Sequence, residues 1–107
     1  MGEIMKVIVK ISNVEKPDRC KFVQLIYDTG AQVSVISSGL LKDLDVKPQG
    51  EIKVTGITGN SEMREFGVIK YEMKGKSGTS PVIFGKIGDM SVLGTSAMEV
   101  LGLKPKV

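Results

Sequence analysis

The stretch Leu25–Ser37, LIYDTGAQVSVIS, sets an apolar run directly before Asp28-Thr29-Gly30 and a second apolar run soon after it. A carboxylate between two strand-like segments is costly to bury unless it is paired or hydrogen-bonded. The tripeptide alone reads equally well in two ways. It is a β-turn joining two strands, with Thr29 and Gly30 supplying turn geometry, or it is an acid held in place for chemistry. The surrounding sequence has to separate these readings.

Upstream, Met5, Val7, Val9 and Ile11 alternate with more polar positions, which predicts a half-buried strand. NVEKPDR reads as a hairpin loop, and CKFVQLIY, rich in β-branched and aromatic residues, as the strand that delivers Asp28. Downstream, Val33–Ser37 is a short strand, and SSGLLKDLDV gives one or two turns of helix behind serine caps. Residues 51–75 form a long hairpin. Ile52 and Val54 alternate on the way up, Gly56 and Gly59 mark the tip, and Ile69, Tyr71 and Met73 alternate on the way down. Lys74–Ser80 reads as a turn, PVIFGKI as another strand, and Gly88-Asp89 as a tight reversal into SVLG. Ser96 and Glu99 have the spacing of a capping box at the start of a terminal helix, with Gly102 placed to stop it. The tail LKPKV allows at most an edge strand because of Pro105. The sum is about seven strands and two short helices in a mostly antiparallel, barrel-like all-β domain.

Composition narrows the chemistry. The chain has 107 residues, enough for one core and too few for two, so residues 1–107 are read as a single domain. Aromatic residues make up only 5%, with no Trp, so the core falls to Val, Ile, Leu and Met. The net charge of +3 comes from scattered lysines and does not indicate a nucleic-acid surface. There is no histidine, which excludes His-based triads, Cys-His dyads and most zinc sites. Cys20 is the only cysteine, so no intrachain disulfide forms, and it is read as half-buried and structural. The N-terminus lacks a signal-peptide core, and no run approaches membrane-spanning length. The expectation is a soluble, cytoplasmic protein.

The ordered set Asp28-Thr29-Gly30-Ala31 after a strand, the Gly-punctuated VTGITG, and Val92-Leu93-Gly94 before a capped helix resembles the retropepsins, the retroviral-type aspartic proteases. The resemblance spans about residues 5 to 104. It implies a closed, barrel-like fold with a flap hairpin and one short C-terminal helix. It also implies an aspartic endopeptidase that needs neither metal nor cofactor. In that chemistry two carboxylates share one proton: the ionised one activates a water, and the protonated one polarises the scissile carbonyl. This chain holds a single Asp-Thr-Gly, so the second acid has to come from another copy, and the enzyme is expected to be a C2 homodimer.

The resemblance also assigns roles. Asp28, Thr29 and Gly30 form the catalytic loop, with Thr29 reaching across the two-fold axis. Ala31 and Gln32 line the cleft. Val54, Thr55, Gly56, Ile57, Thr58 and Gly59 form the flap over an extended peptide or unfolded protein substrate. Val92 shapes a side-chain pocket, and Leu93 and Gly94 buttress the loop. Gln32 and Val33 replace acidic residues common in the viral enzymes, so substrate grip should be less electrostatic. Ala31 replaces the Ser or Thr of pepsin-like enzymes. With no hydroxyl there to favour the ionised acid, the expected pH optimum is weakly acidic.

Asp18, Asp43, Asp45 and Asp89 read as turn or surface residues, and Met63, Met73, Met90 and Met98 as core or flap filler. Partner nucleic acid and membrane are not expected. A non-catalytic peptide-binding or dimerisation module on the same fold is the rival reading.

Overall fold

The computed structural model describes residues 4–55 and 59–103. Its strands are β1 (Lys6–Ser12), β2 (Cys20–Tyr27), β3 (Ser34–Ser37), β4 (Gly50–Thr55), β5 (Ser61–Met73), β6 (Lys76–Gly85) and β7 (Val92–Leu93). The helices are α1 (Ser38–Asp43) and α2 (Thr95–Val100).

Alternation decides which side of each strand turns inward. In β1, Val9 and Ile11 are fully buried while Lys6 and Ile8 face solvent. Antiparallel pairing with β2 sets Val9 opposite Val23 and Val7 opposite Leu25, so the hairpin carries one apolar face to the core. The loop between them is pinned by Asn13, which is buried. Its Nδ2 donates to the carbonyls of Leu44 and Asp45, both at 3.0 Å, and its Oδ1 accepts from the amides of Glu15 and Lys16. One side chain thus ties the first hairpin to the end of α1. Asp45 turns there at φ 59 and pairs with Lys16.

The strand order is β1-β2-β7-β3-β6-β5-β4, and β5 also pairs with β1, so the first six strands in that order close on themselves. The enclosed space is filled by Val9, Ile11, Leu25, Ile36, Leu41, Ile69, Tyr71, Val82, Leu93, Ala97 and Met98. Tyr71 is the largest of the fully buried side chains, a place composition had reserved for aliphatic residues. Its hydroxyl donates to the Pro81 carbonyl at 2.9 Å, which lets a phenol sit in the core, and burial pushes its pKa up.

Several local expectations are corrected. Only Lys74 and Gly75, both with positive φ, form the turn expected over Lys74–Ser80, and β6 begins at Lys76. The mostly antiparallel pairing stands, with β2–β7 and β3–β6 as parallel exceptions. Helix α2 starts at Thr95 behind Gly94 with no side-chain cap, so the Ser96–Glu99 capping box does not form. Gly102 does end that helix, at φ 70. Cys20 is exposed rather than half-buried. Of the four methionines read as core or flap filler, Met98 is buried, Met73 is half-buried, and Met63 and Met90 are exposed. The tail expected as an edge strand is described only to Leu103.

Candidate active site

The site is built where β7 lies between β2 and β3. Those two strands are consecutive in the chain, and the segment joining them carries Asp28 to Val33. Val92 and Leu93 run parallel to Ile26 and Tyr27, and Val92 also pairs with Val35. Ile26 donates its amide to Ser91 at 3.0 Å, and Asp28 donates its own to Leu93 at 3.3 Å. The acid therefore leaves β2 while its backbone is still held by the inserted strand.

The loop closes on itself next. The Ala31 amide donates to the Asp28 carbonyl at 3.2 Å, and the Gly30 amide donates to Asp28 Oδ1 at 2.9 Å. Asp28 is half-buried, and Thr29 and Gly30 are exposed. A Cβ on residue 30 would stand 3.2 Å from Asp28 Oδ1, so glycine leaves the carboxylate room.

The far side of the loop is clamped by the start of α2. Thr95 donates its amide to Ala31 at 2.8 Å, and Ser96 gives the Gln32 carbonyl both its amide, at 3.0 Å, and its hydroxyl, at 2.8 Å. Gly94 donates its amide to Ser34 Oγ at 2.9 Å in a buried bond. A Cβ at position 94 would lie 2.5 Å from the Val33 carbonyl carbon and 2.7 Å from the Ser34 nitrogen. The Val92-Leu93-Gly94 segment and the acid loop are thus in direct backbone contact, and only glycine fits between them.

Asp28, Thr29, Gly30, Ala31 and Gln32 come together in this loop, and Val92 is one strand away, half-buried beside Ile26 and Val35. Val54 and Thr55 are on β4, at the other end of the strand order, with β3, β6 and β5 between them and β7. Val54 stands opposite Glu62 and Thr55 opposite Ser61, with the two hydroxyls 3.0 Å apart. Gly59 has φ 87, suited to a hairpin tip. Gly56, Ile57 and Thr58 lie outside the described residues.

Four residues have roles here that the sequence did not reveal: Ser34 and Arg64 were not singled out, and Ser96 and Asp89 were read only as a helix cap and a turn acid. Ser34 and Ser96 hold the loop through their hydroxyls. Arg64 and Asp89 link the base of the β4–β5 hairpin to the segment preceding β7. Arg64 is only 9% exposed, and its guanidinium pairs with Asp89, with Glu62 at 3.1 Å and with the Phe84 carbonyl at 3.3 Å. Asp89 also accepts from the Lys86 amide at 2.7 Å, and this bond, with Arg64 beside it, holds its carboxyl below the usual range. Read from sequence as an ordinary turn acid, Asp89 is instead the counter-ion of a buried arginine. Alternation with Ile69 and Tyr71 sets Arg64 on the opposite face of β5, so the sequence pattern did not mark it as buried or call for the acid that a buried guanidinium demands.

The described residues contain no cluster of three or more metal-ligating side chains. Three surface grooves, of 420, 690 and 570 Å³, open elsewhere on the chain, and Asp28 lines none of them.

Neither a protein-family model nor a curated protein matches the sequence. Solved structures do. The EIAV protease in complex with the inhibitor HBY-793 superposes with a TM-score of 0.76 at 18% identity, covering 100% of this chain and 96% of that one. The foamy viral protease-reverse transcriptase, solved with an RNA/DNA hybrid, gives a TM-score of 0.64 at 20% identity over 97% of this chain. This chain spans only 12% of the length of that second protein. The closed circuit of strands, the acid loop braced by β7 and the match along the whole chain to a retroviral protease together show that the protein has the retropepsin-like fold.

Proposed function

We propose that residues 1–107 form one half of a homodimeric aspartic endopeptidase. One observation supports this above the rest: the single Asp-Thr-Gly stands on a loop that β7 and α2 brace by backbone hydrogen bonds, in a chain with the retropepsin-like fold. A turn that merely joined two strands would not need a glycine wedged against it and two hydroxyls holding its ends.

In this reading the Asp28 residues of two copies meet at the two-fold axis. The ionised carboxylate takes a proton from water as that water attacks the scissile carbonyl, and the protonated one donates to the carbonyl oxygen. Collapse of the tetrahedral intermediate breaks the C–N bond with proton transfer to the leaving amine. Gly30, exposed and without a side chain, admits the substrate backbone, and Thr29 locks one loop to the other. Ala31, Gln32 and Val92 line the cleft. Val54, Thr55, Gly56, Ile57, Thr58 and Gly59 close over an extended peptide, and apolar side chains are preferred beside the scissile bond.

The test is cleavage of an unfolded protein such as reduced casein by the parent chain and by Asp28→Asn. The proposal expects turnover by the parent and none by the variant, with unchanged thermal stability and oligomeric state. Turnover retained by Asp28→Asn would refute it. Peptide binding without turnover in both forms would assign the chain to the non-catalytic module.

A further inference from the structure

We propose that the solvent face and open edge of β1 form a docking surface for an extended, acidic peptide segment. The register carries the argument. Strand β5 pairs with β1 only over Lys10–Ser12, because the chain turns back at Lys74 and Gly75. Along Lys6–Val9 the side of β1 away from β2 has no strand partner among the described residues. The amide of Tyr27 donates to the Met5 carbonyl at 2.8 Å, so Met5, Val7 and Val9 direct their backbone groups toward β2. Lys6 and Ile8 then direct theirs toward the open side, which is the template for strand addition.

The side chains around this edge specify the occupant. They form a groove of 570 Å³ that includes Lys6, Val7, Ile8, Lys10, Met73 and Lys74. Three lysines face one acid, Glu72, which stands opposite Lys10 in the register. Half-buried Val7 and Met73 give the groove an apolar floor, and Ile8, 63% exposed, gives it an apolar shoulder. An added strand would present alternate side chains to the two sides. Apolar residues would cover Val7 and Met73, and acidic residues would meet Lys6, Lys10 and Lys74. Glu72 and the aliphatic floor disfavour a single-stranded nucleic acid, whose bases would find only Phe22 to stack on among the groove residues.

No residue of the Asp28 loop lines this groove, so it is tested in Asp28→Asn, where binding is read without cleavage. The probe is a fluorescein-labelled peptide alternating Glu with Val and Leu, followed by anisotropy at low and moderate salt. The expected result is saturable binding that weakens with salt. Binding should also weaken about tenfold or more in the exposed-site double variant Lys6→Glu/Lys74→Glu. The same peptide with alternate backbone amides methylated should fail to bind, which needs no change to the protein. Equal binding of the methylated peptide would overturn strand addition. Preference for oligothymidylate over the peptide would overturn the choice of occupant. Aggregation of a Lys6→Ala/Lys10→Ala variant without peptide binding by the Asp28→Asn chain would reduce the lysines to guards of a bare edge and overturn the proposal.

Discussion

At position 94 a single hydrogen atom decides whether the acid loop can exist. The Gly94 amide reaches Ser34 Oγ, and the space where a Cβ would stand is already filled by the backbone of Val33 and Ser34. Gly94→Ala is therefore expected to destabilise the chain by about 1–3 kcal/mol through forced backbone displacement. It should also cost more activity than stability, since the displaced atoms belong to the Asp28 loop. Thermal melts beside casein turnover check both parts. Ser34→Ala removes the partner of a buried amide and should cost about 1–3 kcal/mol without the steric shift. Ala31 offers no hydroxyl beside the acid, so the pH–rate profile should peak above about 3. A profile peaking at stronger acidity would contradict the role given to that substitution.

The acid loop is one element of the site, and the segment between β6 and β7 is the other. It is fastened by Asp89, which joins the Lys86 amide to the buried Arg64 of β5. These contacts keep the Asp89 carboxyl below its ordinary value of 3.8, so the folded chain prefers the ionised form. Their contribution is complete above that value and drains away as pH falls through the lower folded value. Asp89→Asn should lower the melting temperature at neutral pH, and the gap to the parent should narrow below about pH 4. A gap of equal size at both pH values would show that Asp89 acts through shape and not charge. Alternation and turn residues made most elements legible: β1, β2, β4 and both helices stand where the apolar periods put them. The start of β6 was missed because Lys76, Ser77, Gly78 and Thr79 look like turn residues. They are strand because β5 pairs with them, Tyr71 against Gly78 and Lys70 against Thr79. The capping box failed because Ser96 spends its hydroxyl on Gln32, a partner far away in sequence.

For the whole molecule, the circuit β1-β2-β7-β3-β6-β5 explains why one short apolar triplet matters so much. Val92 and Leu93 join two strands that the acid loop separates, and without them β2 and β3 would have no common neighbour. Sequence showed the motif, the triplet and their order, and the match to a retroviral protease bears out the fold they implied. It did not show the insertion of β7 between β2 and β3, nor the buried Arg64, because both depend on residues brought together from distant parts of the chain. The central claim is that catalysis takes one Asp28 from each of two copies. It is tested most directly by titrating a fixed amount of parent chain with excess Asp28→Asn under conditions of subunit exchange and saturated pairing. Turnover per parent chain should fall in proportion to the parent fraction, as mixed pairs form and stay silent. Turnover that stays constant while the variant is added would mean that one chain carries its whole active site, and the account would fail.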